Sequence, residues 1–121
     1  MKHILIVDDA ATVRMFHRQV LEAAGYQVSE AVNGIEALEK ALNQHYDLFV
    51  VDINMPKMDG YSFLRELRQQ QIEQAPALMV STEASQQDML RAFEAGANMY
   101  MTKPIKPDDF VEHIRLCLGE V

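Results

Sequence analysis

Tryptophan is missing from this chain, and one cysteine, Cys117, is its whole supply of thiols. A lone thiol cannot close a disulfide within the chain. With no base near it in sequence, it reads as a core or half-buried residue of a reducing compartment and not as a nucleophile. There is also no run of lysines or arginines: 18 acidic residues face 11 basic ones, for a formal net charge of −7. A sequence-independent nucleic-acid surface needs clustered positive charge to displace counterions, so that class is excluded. Long hydrophobic runs are absent as well. The run Ile4 to Val7 is cut off by Asp8 and Asp9, too short for a signal peptide or a membrane span. A soluble, cytoplasmic protein with no nucleic-acid or membrane partner is expected. The histidines, His3, His17, His45 and His113, are scattered without ligand spacing and are not taken as catalytic or metal-binding. Repeats, low-complexity segments and linkers are missing too.

What the chain does have is alternation. Its 121 residues suit one domain, spanning 1–121, large enough to bury roughly two thirds of the surface that the unfolded chain exposes. Ile4 to Val7 reads as a strand, followed by a helix over Thr12 to Ala24 whose apolar Val13, Phe16, Val20, Leu21 and Ala24 share one face, stopped by Gly25. Tyr26 to Ala31 is a weaker strand. Asn33 is placed to cap a second helix that turns Ile35, Leu38 and Leu42 inward. Leu48 to Val51 is an unbroken apolar strand, the pattern of burial on both faces, and it stops at Asp52. Pro56 and Asp59-Gly60 then force a turn, with Gly60 free to take φ > 0.

A third helix follows over Tyr61 to Gln70, with Phe63, Leu64 and Leu67 inward. Ala77 to Ser81 is the fourth strand and Ser85 to Ala95 the fourth helix; Met99 to Thr102 is the fifth strand and Asp108 to Leu118 the last helix. That last helix carries its apolar residues at Phe110, Val111, Ile114, Leu116 and Leu118. Strands alternating with helices over short connections predict an α/β fold: a five-stranded parallel sheet with helices on both faces.

The groups able to do chemistry stand at strand ends: Asp8 and Asp9 after the first, Asp52 after the third, Ser81 and Thr82 after the fourth, Lys103 after the fifth. In a parallel sheet these ends share one edge, where open α/β folds bind ligands. Neighbouring carboxylates in a poorly solvated cleft repel, which calls for a divalent cation, raised pKa values, or both. Hard oxygen ligands with vacant positions suit Mg²⁺, and a carboxylate, a metal, an ammonium and a hydroxyl together suit phosphoryl transfer.

Several segments, in this order and on these elements, carry a family resemblance. They are Ile-Leu-Ile-Val-Asp-Asp at 4–9, Ala-Val-Asn-Gly-Ile-Glu-Ala-Leu at 31–38, Asp-Ile-Asn-Met-Pro-Lys-Met-Asp-Gly at 52–60, Met-Val-Ser at 79–81, Ala-Gly-Ala at 95–97 and Lys-Pro at 103–104. The chain resembles the receiver domain of two-component response regulators, and within that family the CheY-like, single-domain chemotaxis type.

The resemblance implies a flavodoxin-like, CheY-like (βα)5 fold with strand order 2-1-3-4-5. It implies Asp52 as phosphoacceptor from a sensor histidine kinase or phosphotransfer protein. Mg²⁺ would be held by Asp9, Asp52 and the backbone carbonyl of Asn54, with Asp8 assisting. Ser81, whose offset to Lys103 matches the family where that of Thr82 does not, would be the switch hydroxyl, and Lys103 the phosphate-binding lysine in a cis peptide with Pro104. Tyr100 would be the aromatic that turns inward. Asn54 and Glu83 would flank the water of dephosphorylation and make the phosphorylated state short-lived.

Output is expected on the face of the fourth helix, fifth strand and fifth helix, where Met89 and Met101 are candidate contacts for a target. An output domain after Leu118 is not expected, so the effect would pass to a partner in chemotaxis, motility or a phosphorelay, from a monomer or weak homodimer. Ala10 departs from the larger residue often found there and opens the cleft mouth. The module would catalyse only its own phosphorylation and dephosphorylation. Plainer roles compete: Ser81 as a helix cap, Tyr100 as an ordinary strand tyrosine with a wet hydroxyl. An alternative function, a small Mg²⁺-dependent aspartyl-phosphate phosphatase of haloacid-dehalogenase type, would need a carboxylate where Asn54 stands. A flavin carrier would need a glycine- or hydroxyl-rich loop where Asp8 and Asp9 stand.

Overall fold

Alternating strands and helices build the chain. The computed structural model describes residues 1–120. The order is β1 (His3–Val7), α1 (Ala11–Ala23), β2 (Gln27–Ala31), α2 (Gly34–Asn43), β3 (Leu48–Asp52), α3 (Gly60–Gln69), β4 (Ala77–Ser81), α4 (Gln86–Ala95), β5 (Met99–Thr102) and α5 (Pro107–Cys117). The strands pair in parallel in the order β2-β1-β3-β4-β5. β1, β3 and β4 are buried at every position, as strands covered on both sides must be. Alternate residues feed two cores. Leu5, Phe49, Val51 and Met79 pack with Phe63, Leu64 and Leu67 of α3, and Ile4, Ile6, Val50 and Leu78 pack with Leu21 of α1 and Phe110 and Ile114 of α5.

Helix starts follow local chemistry. The Asn33 side chain accepts from Glu36 N at 2.9 Å, Asp59 accepts from Ser62 N at 2.7 Å, and Ser85 accepts from Asp88 N at 3.1 Å. Each satisfies an otherwise orphaned N–H of the first turn. Ser85, and not Ser81, is therefore the cap of α4.

The inner faces of the helices differ from the pattern of large apolar residues. In α2, Ile35 and Leu42 are exposed, and the buried face is Gly34, Ala37 and Ala41 with Leu38 beside it. In α1, Phe16 is exposed while His17 and Leu21 are buried, and in α5 Leu116 is exposed. Where a helix lies close to its neighbours, small residues go inside. A Cβ on Gly34 would stand 2.7 Å from Met58 atoms. Gly60 is likewise needed for space and not for an unusual backbone: a Cβ there would lie 2.4 Å from the Asp52 carbonyl, while the left-handed residue of the turn is Lys57, at φ 69°.

At the edge of the sheet away from the strand C-termini, Lys2, Gly25, Tyr26, Asp47, Arg115 and Glu120 line a cleft of about 730 Å³. The Tyr26 hydroxyl there donates to Glu120 Oε1 at 2.7 Å.

Candidate functional site

Parallel pairing sets the strand ends side by side. Val7 of β1 pairs with Val51 of β3, Asp52 of β3 with Val80 of β4, and Ser81 of β4 with Thr102 of β5. The residues that follow or end these strands therefore meet at one rim. Asp8, Asp9 and Asp52 bring carboxylate oxygens within 4.8 Å of one another. Asp8 is 2% and Asp52 8% exposed, whereas Asp9 is exposed.

Lys103 crosses from the far side of the sheet to meet them. Its Nζ donates to Asp8 Oδ2 at 3.0 Å and to Asp52 Oδ1 at 3.1 Å. The lysine is aimed from a cis peptide with Pro104, and its own N–H donates to Ser81 O at 2.7 Å. Asp8 is the most tightly held of the carboxylates: its Oδ1 accepts from Ala10 N at 2.9 Å and its N–H donates to Ala31 O at 3.1 Å.

Burial, then the Asp8 and Asp9 charges, push the Asp52 acid above its ordinary range against the pull of Lys103. For Lys103, burial pulls the ammonium down, but the Asp8 hydrogen bond and the charges of Asp52 and Asp8 outweigh it, leaving a raised value and a fixed cation. One ammonium cannot neutralise this many carboxylates. The surplus of hard oxygen donors fits a divalent cation such as Mg²⁺, which prefers such ligands and would favour the ionised form of each.

Ser81 is 1% exposed, and its Oγ accepts from Glu83 N at 3.0 Å. The Tyr100 hydroxyl donates to the carbonyl of that same Glu83 at 2.8 Å, while its ring packs against the core on the α3 side. One residue of the β4–α4 loop thus holds both hydroxyls through its main chain. Thr82 is exposed and lines a 460 Å³ cavity with Phe16, His17, Pro104 and Ile105.

Asn54 and Glu83 are exposed beside the rim. Met89 is half-buried on α4, and Met101 packs into the core on the α1 and α5 side. The exposed apolar residues of α4 are instead Leu90 and Phe93, which sequence reasoning passed over because the buried residues of that helix are the small Ala92 and Ala95. Arg14 was passed over too. It lies on α1, and its Nη1 donates to the Asp8 carbonyl at 2.6 Å; an arginine on a helix gives no sign in sequence that it reaches a strand end.

Comparison with known proteins agrees with this arrangement. The family model described as "Response regulator receiver domain" matches residues 4–115. The chain is similar to the chemotaxis protein CheY of Bacillus subtilis, 40% identical over 96% of this chain and 97% of that protein. It is also similar to the transcriptional regulatory protein ResD of the same organism, 36% identical over 95% of this chain but 47% of that protein, so it spans about half the length of that relative. Among solved structures, the receiver domain of a sensor histidine kinase from Pseudomonas aeruginosa, with a magnesium ion coordinated in its active-site cleft, superposes with a TM-score of 0.90 at 31% identity, covering 98% of each chain.

Proposed function

The chain belongs to the response regulator receiver domain family, and from that membership we propose that it is a phosphorylation-dependent switch in which Asp52 accepts a phosphoryl group from a phosphohistidine of a partner kinase or phosphotransfer protein. The observation that carries this reading is the meeting of Asp8, Asp9, Asp52 and Lys103 at one rim. A carboxylate oxygen of Asp52 forms the new P–O bond as the donor's P–N bond breaks, and the bonding pair leaves with the imidazole. Lys103, already at hydrogen-bond distance from Asp52, stabilises charge on the phosphoryl oxygens. Mg²⁺, held by Asp9, Asp52 and the Asn54 carbonyl with Asp8 assisting, would supply further charge neutralisation when bound, as the cleft of the Pseudomonas relative holds that ion.

The phosphorylated side chain brings roughly two negative charges into the cleft. Ser81 turns its hydroxyl toward them and gives up the Glu83 N–H that it now accepts. Because Glu83 also accepts from Tyr100, that movement reaches β5 through a single peptide segment and alters the surface of α4, β5 and α5, where a target protein docks. Taking such an equilibrium from mostly off to mostly on requires about 5.5 kcal/mol of preference for the active form, within the capacity of several charge-assisted hydrogen bonds. Asn54 and Glu83 flank the approach of water, consistent with a short-lived signal.

Incubation with acetyl phosphate and Mg²⁺, followed by intact mass measurement, tests the reading. One added phosphoryl group, labile to base and absent from Asp52→Asn, is the expected result. No gain on the unaltered chain, or an equal gain on the variant, would overturn it.

A further inference from the structure

Asp9 is exposed and brings a carboxylate oxygen within 4.8 Å of those of Asp8 and Asp52, and the peptide that precedes it sets where its Cα–Cβ bond starts. The carbonyl of that peptide, Asp8 O, accepts from Arg14 Nη1 at 2.6 Å. Arg14 is itself gripped, its Nε donating to Glu30 Oε1 at 2.9 Å. Glu30 lies opposite Ile6 in the β1–β2 register. Its other oxygen accepts from Arg18 Nη1 at 2.6 Å, and its backbone carbonyl accepts from Lys40 Nζ. Arg18 is anchored in turn on the Val28 carbonyl at 3.1 Å. Glu30 is thus contacted by Arg14, Arg18 and Lys40 together, and Arg14 bridges it to the Asp8 carbonyl.

We propose that Arg14 is a positioning residue: held by Glu30, it fixes the plane of the Asp8–Asp9 peptide and so sets the affinity of the acidic cluster for a divalent cation. The inference rests on the reading of Asp8, Asp9 and Asp52 as that cation's site. Geometry and charge make opposite predictions here. A guanidinium near the cluster repels a dication, so on charge alone its removal tightens binding. If Arg14 acts by orientation, its removal loosens binding, as loss of an outer-shell partner commonly does. Arg18 is the internal control, because it shares Glu30 but does not touch Asp8.

Isothermal titration of Mg²⁺, repeated with Mn²⁺, into the full chain and into R14M, R14K and R18M decides the matter. Expected is a roughly tenfold weaker Kd for R14M, a similar loss for R14K, which keeps the charge but cannot serve Asp8 and Glu30 together, and a clearly smaller loss or none for R18M, which leaves Arg14 on Asp8 and Glu30. The amide resonance of Asp9 should also move in R14K without metal. An R14M that binds equally well or more tightly overturns the inference, as does an R18M weakened as much as R14M. Should R14M fail to fold, R14K and the Asp9 resonance carry the test. An unaltered chain that binds no Mg²⁺ overturns the switch reading and this inference together, whereas binding that is indifferent to Arg14 overturns the inference alone.

Discussion

Burial and the adjoining charges of Asp8 and Asp9 hold the Asp52 acid above its ordinary range, with Lys103 pulling against them. A folded-state value above the unfolded one means that the contribution of Asp52 to stability is fully present below the unfolded value, about 3.9, and is lost as pH rises through the folded value. Asp52→Asn should therefore melt a few degrees higher than the unaltered chain at pH 7 without divalent cation. The gap should shrink as pH falls toward about 4, and added Mg²⁺ should raise the melting temperature of the unaltered chain more than that of the variant. Thermal melts at both pH values, with and without Mg²⁺, check each part. At this scale the acidic residues and Lys103 were legible because each follows an apolar strand, and parallel strands put their ends together. Arg14 was not, since its contact with Asp8 depends on how α1 lies across β1 and β2, and helical periodicity says nothing of that.

Elements pack here through their small residues. Buried Ala37 and Ala41 on α2, and Ala92 and Ala95 on α4, let those helices sit close, and they leave Ile35, Leu42, Leu90 and Phe93 outside. A reading that sends the largest apolar residues inward fails at Ile35 and Leu42 of α2, though Leu38 does pack against the core, and at Leu90 and Phe93 of α4, while it succeeds for α3, where Phe63, Leu64 and Leu67 are all buried. Strands were easier, because a run of bulky residues bounded by acids admits few other arrangements. The β3–α3 junction offers a direct test of close approach. Gly60→Ala puts a methyl 2.4 Å from the Asp52 carbonyl, so the end of β3 and the start of α3 must part. A loss of about 1–3 kcal/mol in urea unfolding is expected, together with slower phosphoryl uptake, because the displaced backbone carries Asp52. Unchanged stability and unchanged uptake would show that the junction has slack.

In the whole molecule, the sheet divides labour between its two edges. Strand C-termini and the loops after them hold Asp8, Asp9, Asp52, Asn54, Ser81, Glu83 and Lys103, and that division followed from the alternation of strand and helix in sequence, with the strand order implied by the family resemblance. What sequence could not supply is the main-chain link through Glu83 between Ser81 and Tyr100, because backbone partners leave no mark in side-chain identity.

The other edge has its own consequence. Lys2 and Glu120 line one cleft there, and the connection between α3 and β4 passes the same edge with Gln71 exposed. Circular permutation should therefore be tolerated: joining residue 120 to residue 2 by a short glycine-rich bridge and opening the chain before Gln71 reorders the strands in sequence while leaving their neighbours unchanged. Such a permutant is expected to match the unpermuted chain in Mg²⁺ affinity and in phosphoryl uptake. A permutant that folds but matches it in neither would mean that the rim depends on the path of the backbone as well as on the adjacency of the strands it joins.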